Sequence, residues 1–220
     1  MDLKGKIIDF LGDSITEGVG VEDIAANRFD NALRALAGLR AARNYGVSGS
    51  RLAHQRRPSE MPRFDLCFCG RAFDMDRDAA VIVVFGGTND YGHGDAPFGA
   101  PSDRTPATYC GAVNYLMDML RTEYPRAVPV FLTPARREGD ALPSTGAPGV
   151  PDKRPLVAYV DYMLEAAAAR NIAVLDLYRK LPVDPNLPGD RERYAPDGLH
   201  LNDAGHRLLA ERLRDFLEAL

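Results

Sequence analysis

Five stretches of the chain are short, β-branched and almost continuously apolar: Lys6–Leu11, Arg43–Val47, Ala79–Phe85, Pro129–Thr133 and Ile172–Leu177. Runs of this kind predict parallel strands covered on both faces. The third carries Val81-Ile82-Val83-Val84-Phe85 and is the clearest, whereas the second is the weakest. Between them the apolar period lengthens to that of a helix. Arg28–Leu39 places Phe29, Leu33, Leu36 and Leu39 on one stripe, and Tyr109–Tyr124 places Val113, Leu116, Met117 and Leu120 together. Pro155–Arg170 offers Leu156, Val160, Met163 and Leu164, and the terminal segment lines up Leu208, Leu209, Leu213, Phe216, Leu217 and Leu220.

Alternating strands and helices predict an α/β fold: a three-layer, doubly wound sandwich around a five-stranded parallel sheet of flavodoxin-like type. No internal repeat or second domain stands out, so residues 1–220 read as a single domain. The connections are unequal. Links from helix into strand are short, whereas those leaving strands are long, about 12–27, 86–108, 134–154 and 178–200. Loops leaving parallel strands gather at the carboxyl edge of the sheet, where open α/β folds bind their ligands. Structureless loops near 20 residues are uncommon unless they serve a function.

The 45% hydrophobic composition of the 220 residues fits a folded chain rather than a disordered one. A net charge of −4, from 27 basic and 31 acidic residues, argues against a nucleic-acid partner. No apolar run approaches the roughly 20 residues of a membrane helix. Met1-Asp2-Leu3-Lys4-Gly5-Lys6 leads into the first strand without an apolar signal region, so a cytoplasmic protein is expected. Cys67, Cys69 and Cys110 make poor disulfide arithmetic and poor zinc spacing. They read as reduced thiols packed like small hydrophobes, with surface metal binding by Cys67 and Cys69 as the alternative.

Candidate chemistry lies on the loop-bearing rim. Gly12-Asp13-Ser14 follows the first strand, and a helix starting there would aim free N–H groups at the serine oxygen. Taken alone, the stretch reads equally as a turn with a serine helix cap. The spacing fits neither a P-loop nor the dinucleotide fingerprint, and Thr16 stands where a G-x-S-x-G elbow needs glycine. Of four histidines, His200 is best placed as a base, directly before the terminal helix. Asp197 stands three residues earlier across a Pro-Asp-Gly turn, from which a carboxylate can curl back onto the imidazole. Phe85-Gly86-Gly87-Thr88-Asn89-Asp90 would hold the Asn89 amide over the sheet edge. Asn44-Tyr45-Gly46-Val47-Ser48-Gly49-Ser50 could present a backbone N–H at Gly49, with Gly46 as the competing glycine. Each of these also reads as ordinary turn residues.

Together, Gly12-Asp13-Ser14, Ser48-Gly49, Gly87-Thr88-Asn89-Asp90 and Asp197-Gly198-Leu199-His200 resemble, in order and spacing, the GDSL-type hydrolases known as the SGNH family. Ile15 departs mildly from the leucine many members carry. The resemblance implies Ser14 as nucleophile, His200 as base and Asp197 as its orienting partner. It implies an oxyanion hole of the Ser14 and Gly49 backbone N–H groups and the Asn89 side chain. Asp13, Gly87, Asp90 and Tyr91, which flank these residues, are candidate substrate contacts. No cofactor and no metal is expected.

The rim loops are polar, with Tyr91, His93, Asp95, Asp103 and Arg104 in one and Arg136, Arg137, Glu138 and Asp140 in another. Phe98 is the one large apolar anchor between 92 and 107. A long acyl chain needs more apolar lining, so a small-molecule ester with a short acyl group, acetyl on a polar alcohol such as a sugar, is expected. The competing readings are a lysophospholipase or thioesterase, a non-catalytic carbohydrate-binding relative, and a metal site of His93, Asp95 and His200.

Overall fold

In the computed structural model, residues 1–143, 150 and 152–220 are described. In chain order the elements are β1 (Ile7–Gly12), α1 (Ser14–Glu17), α2 (Ile24–Asn27), α3 (Phe29–Ala37), β2 (Ala41–Gly46), α4 (Phe68–Arg71), β3 (Val81–Phe85) and α5 (Thr88–Gly92). They continue with α6 (Tyr109–Glu123), β4 (Val128–Leu132), α7 (Leu156–Ala168), β5 (Ala173–Leu175), α8 (Leu177–Lys180), α9 (Pro188–Tyr194) and α10 (Asp203–Glu218). All strand pairs are parallel, in the order β2-β1-β3-β4-β5.

The sheet separates two apolar layers by the two-residue alternation of strand side chains. Leu11, Ile82, Val84 and Phe131 face α4, α6 and α7, whereas Ile8, Phe10, Val83, Val130 and Leu132 face α3 and α10. Every residue of β3 is buried, which is why its sequence is uniformly apolar. Burying each such side chain contributes roughly 1.5–3 kcal/mol. β2 is an edge strand and is half-buried throughout. Its Arg43 reaches Asp9 at 2.6 Å, Asp76 at 2.8 Å and Asp78 at 2.7 Å, placing charge on an edge that would otherwise invite strand pairing. That polar role explains its weak apolar signal.

The chain goes from β1 outward to β2, then returns past β1 to β3. The crevice between the carboxyl ends of β1 and β3 is therefore the topological switch point, where open α/β sheets bind ligands. The long 12–27 connection is not structureless: it holds α1 and α2. The 134–154 connection falls partly on residues 144–149 and 151, outside the described residues. Among the described residues no helix is long and apolar enough to cross a membrane. All three cysteines are buried and free, as expected of packed thiols.

Candidate active site

β1 ends on Gly12 because nothing larger fits: a Cβ there would lie 1.9 Å from Oγ1 of Thr16. Asp13 caps α1, its Oδ1 accepting from the Ile15 N–H at 3.0 Å. Burial pushes this carboxyl up to about 7, against the lowering effect of that hydrogen bond. Ser14 is the first residue of α1 and is 5% exposed.

His200 enters from the other end of the chain. Its Nε2 lies 2.9 Å from Oγ of Ser14, and its Nδ1 lies 2.6 Å from Oδ2 of Asp197. A neutral ring protonated on Nδ1 satisfies both contacts, donating to Asp197 and accepting from Ser14. The other Asp197 oxygen accepts the N–H groups of Leu199 at 2.9 Å and His200 at 2.7 Å, closing the Pro-Asp-Gly turn. Burial acts to raise the Asp197 pKa, but His200 and these two N–H groups outweigh it and hold the carboxyl below its ordinary value. Gly198 takes φ 82°, and its carbonyl accepts from the Glu138 N–H at 2.8 Å. Gly20 lets the loop after α1 approach closely, since a Cβ there would lie 2.8 Å from the Leu201 carbonyl and 3.2 Å from Cβ of His200.

The third wall is the 47–53 loop. Asn89 donates through Nδ2 to the Ser50 carbonyl at 2.9 Å, which leaves its second amide hydrogen uncommitted. Gly49 takes φ 74° and packs against Phe64, whose ring carbon would lie 2.5 Å from a Cβ. The Gly49 N–H donates to no acceptor among the described residues. Gly46 serves packing instead, because a Cβ on it would lie 2.3 Å from the backbone nitrogen of Glu17, and its bareness lets α1 sit on β2. Arg71 ties the ends of β1 and β2 to the 47–53 loop, donating to the carbonyls of Gly12 at 3.0 Å and Tyr45 at 2.6 Å and to Oγ of Ser50 at 2.9 Å. Burial lowers its pKa to about 10, which leaves it cationic at neutral pH.

The four candidate substrate contacts sit differently from the triad. Asp90 is buried, and its carboxylate takes the Leu52 and Ala53 N–H groups at 3.0 and 2.9 Å. Asp13 is equally enclosed. Both Asp90 oxygens and Oδ1 of Asp13 are taken by main-chain N–H groups, so these atoms shape the site. The Tyr91 hydroxyl meets the Gly139 and Leu142 carbonyls at 3.0 and 3.1 Å, and Gly87 caps α5 at φ 108°. Phe98 is no rim anchor: it is 4% exposed among Tyr109, Tyr159 and Tyr162. The alternative metal set does not assemble. His93 contacts Arg51 at 2.9 Å, the Asp95 carboxylate takes the Arg56 and Arg57 N–H groups, and His200 is engaged as above. Among the described residues no cluster of three or more potential metal ligands occurs.

Sequence reasoning did not reach Glu17, Phe64 or Arg71. Glu17 stands one residue past Thr16 in a stretch read only for its serine. Phe64 and Arg71 lie in the 48–78 segment, whose short turns carry no apolar period.

The family model of the GDSL-like lipase/acylhydrolase family matches residues 10–208. The chain belongs to that family of ester hydrolases. It is similar to a solved structure at 31% identity, covering 100% of this chain and 99% of the other, with a TM-score of 0.83. A protein from Lactobacillus plantarum is 29% identical, with 98% of each chain covered and a TM-score of 0.81. A two-domain esterase active on acetylated mannans shares the fold at 16% identity, covering 99% of this chain and 50% of that one, with a TM-score of 0.62. No curated protein matches the chain.

Proposed function

We propose that this chain is a serine esterase that hydrolyses short acyl esters, acetyl foremost, of a polar alcohol such as a carbohydrate. The observation that carries the reading is the hydrogen-bonded line from Ser14 Oγ through His200 to Asp197, joining residues 186 positions apart. His200 takes the Ser14 proton on Nε2 as Oγ attacks the ester carbonyl, while Asp197 holds the imidazolium that forms. The tetrahedral oxyanion meets the Ser14 and Gly49 N–H groups and the Asn89 amide. Collapse expels the alcohol, which leaves with the proton from His200. Water, deprotonated by the same ring, then releases the acid from the acyl-serine.

The short acyl group rests on the polar rim and on the withdrawal of Phe98 into the core. The mannan-acetate esterase of the same fold gives the carbohydrate reading a precedent at the level of architecture. Exposed Leu142, at 64%, favours a longer acyl chain as the competing reading. The test is hydrolysis of p-nitrophenyl acetate and octanoate, followed by acetylated sugars, with wild type and Ser14→Ala. Acetate turnover above octanoate, abolished in Ser14→Ala, is expected. Faster octanoate cleavage would overturn the short-chain reading. A protein that binds sugar but takes no fluorophosphonate at Ser14 would be a binding module.

A further inference from the structure

Arg137 stands beside the site without the partner a half-buried cation ordinarily has. Its neighbour Arg136 is paired with Asp140 at 3.1 Å and Asp184 at 2.9 Å. The Arg137 guanidinium makes no ion pair among the described residues, and residues 144–149 and 151 contain no Asp or Glu. Its hydrogen bonds are two long ones from Nη1, to the Thr88 carbonyl at 3.3 Å and to Oγ1 of Thr88 at 3.2 Å. Nε is buried with no acceptor among the described residues. Nη2 has none either among the described residues, but is not sealed off as Nε is. Arg71 also lacks a carboxylate, yet it satisfies itself on four acceptors.

The position matters as much as the missing partner. Thr88 directly precedes Asn89, and the guanidinium carbon lies 5.5 Å from the Tyr91 ring centre. The next residue, Glu138, bonds the carbonyl of Gly198 in the triad turn, so Arg137 spans from the Asn89 wall to the Asp197 wall. Burial lowers its pKa, and Tyr91 with the carboxylates of Asp13, Asp140 and Asp197 acts on it in the other direction, though none of those three carboxylates pairs with the guanidinium. A desolvated cation left without an anion is unfavourable unless a ligand supplies one.

We infer that Arg137 is a specificity residue that receives a carboxylate carried by the substrate, so the preferred esters are anionic. Nη2, the guanidinium nitrogen left open, offers a substrate carboxylate a charge-assisted hydrogen bond. The inference rests on the esterase reading and narrows it to acidic substrates, such as esters of an acidic sugar or half-esters of a dicarboxylic acid.

The test compares two substrate pairs in wild type, Arg137→Gln and Arg137→Lys. On the acyl side, mono-p-nitrophenyl succinate is set against p-nitrophenyl butyrate. On the alcohol side, 4-acetoxybenzoate is set against 4-methylphenyl acetate. Within a pair, the anionic-to-neutral ratio of kcat/KM is expected to fall roughly 10- to 100-fold from wild type to Arg137→Gln, with part retained in Arg137→Lys. Which pair responds tells where the carboxylate sits. Ratios equal in all three proteins for both pairs would overturn the inference while leaving the esterase reading intact. Loss of fluorophosphonate labelling at Ser14 in wild type would remove the esterase reading, and the inference with it. Matching thermal unfolding of the three proteins keeps misfolding from imitating either result.

Discussion

The carboxylate of Glu17 accepts the backbone N–H of Ser48 at 2.6 Å and the Ser48 hydroxyl as well. Its other oxygen takes Arg63 at 2.7 Å. Burial acts to raise this carboxyl, but Ser48 and Arg63 outweigh it and hold the pKa below its ordinary value, so the acceptor is charged. Ser48 and Gly49 share a peptide bond. Fixing the N–H and hydroxyl of the first anchors the residue that precedes the second's N–H, one of the proposed oxyanion donors, and limits how far that peptide can turn. Glu17→Ala should lower kcat on p-nitrophenyl acetate roughly 10-fold, less than outright loss of a donor, while KM moves little. Glu17→Gln should fall between. A change confined to KM would show that Glu17 does not act on the transition state.

Asn89 is held by its bond to Ser50, so its remaining amide hydrogen is aimed before substrate arrives. Asn89→Ala should reduce kcat about 10²–10³-fold. Stopped-flow acylation with p-nitrophenyl acetate measures the step directly. An unchanged acylation rate would remove Asn89 from the oxyanion hole.

What the sequence made legible follows from how each element is stabilised. β3 is covered on both faces, so Val81–Phe85 could be recognised from apolarity alone. β2 is stabilised by ladder bonds and by Arg43 on its carboxylates, neither of which leaves an apolar period. The stretches that bring Ser14, Asp197 and His200 into one hydrogen-bonded line stood out because each lies where the chain turns, with its own residue signature. Glu17, Phe64 and Arg71 were not, because their roles come from contacts across distant segments. For Asp13 and Asp90 only coordinates reveal the main-chain N–H groups that Oδ1 of the first and both oxygens of the second accept.

Gly46 offers a test of how the nucleophile is positioned. A methyl at this position would press on the backbone of Glu17, which cannot rotate away as a side chain can. Gly46→Ala should therefore destabilise the protein by about 2 kcal/mol or more and should push α1 outward. Activity should fall further than stability at temperatures where the variant is still folded. Guanidinium melts and fluorophosphonate labelling rates measure the two effects separately. A fully stable, fully reactive variant would mean that α1 does not depend on this close approach.

His206 gives the fold a pH dependence whose sign can be worked out. The residue is fully buried, its Nδ1 accepts the Phe29 N–H at 3.2 Å, and its Nε2 has no partner among the described residues. Burial is the largest cause lowering its pKa to about 4 from the ordinary 6.5. The unfolded chain therefore binds a proton there at a pH where the folded protein does not. The neutral ring's contribution is complete above pH 6.5 and is lost as pH falls toward 4. It amounts to about 3 kcal/mol at most. Asp9 and Asp13, raised by burial to about 6 and about 7, act with the opposite sign: each costs stability as pH rises toward those values. The wild-type curve alone mixes the two. The difference in unfolding free energy between wild type and His206→Gln isolates the histidine, and it should shrink steadily from pH 6.5 to 4. A difference that stays constant across that window would mean the ring is already charged, or already solvated, in the native state.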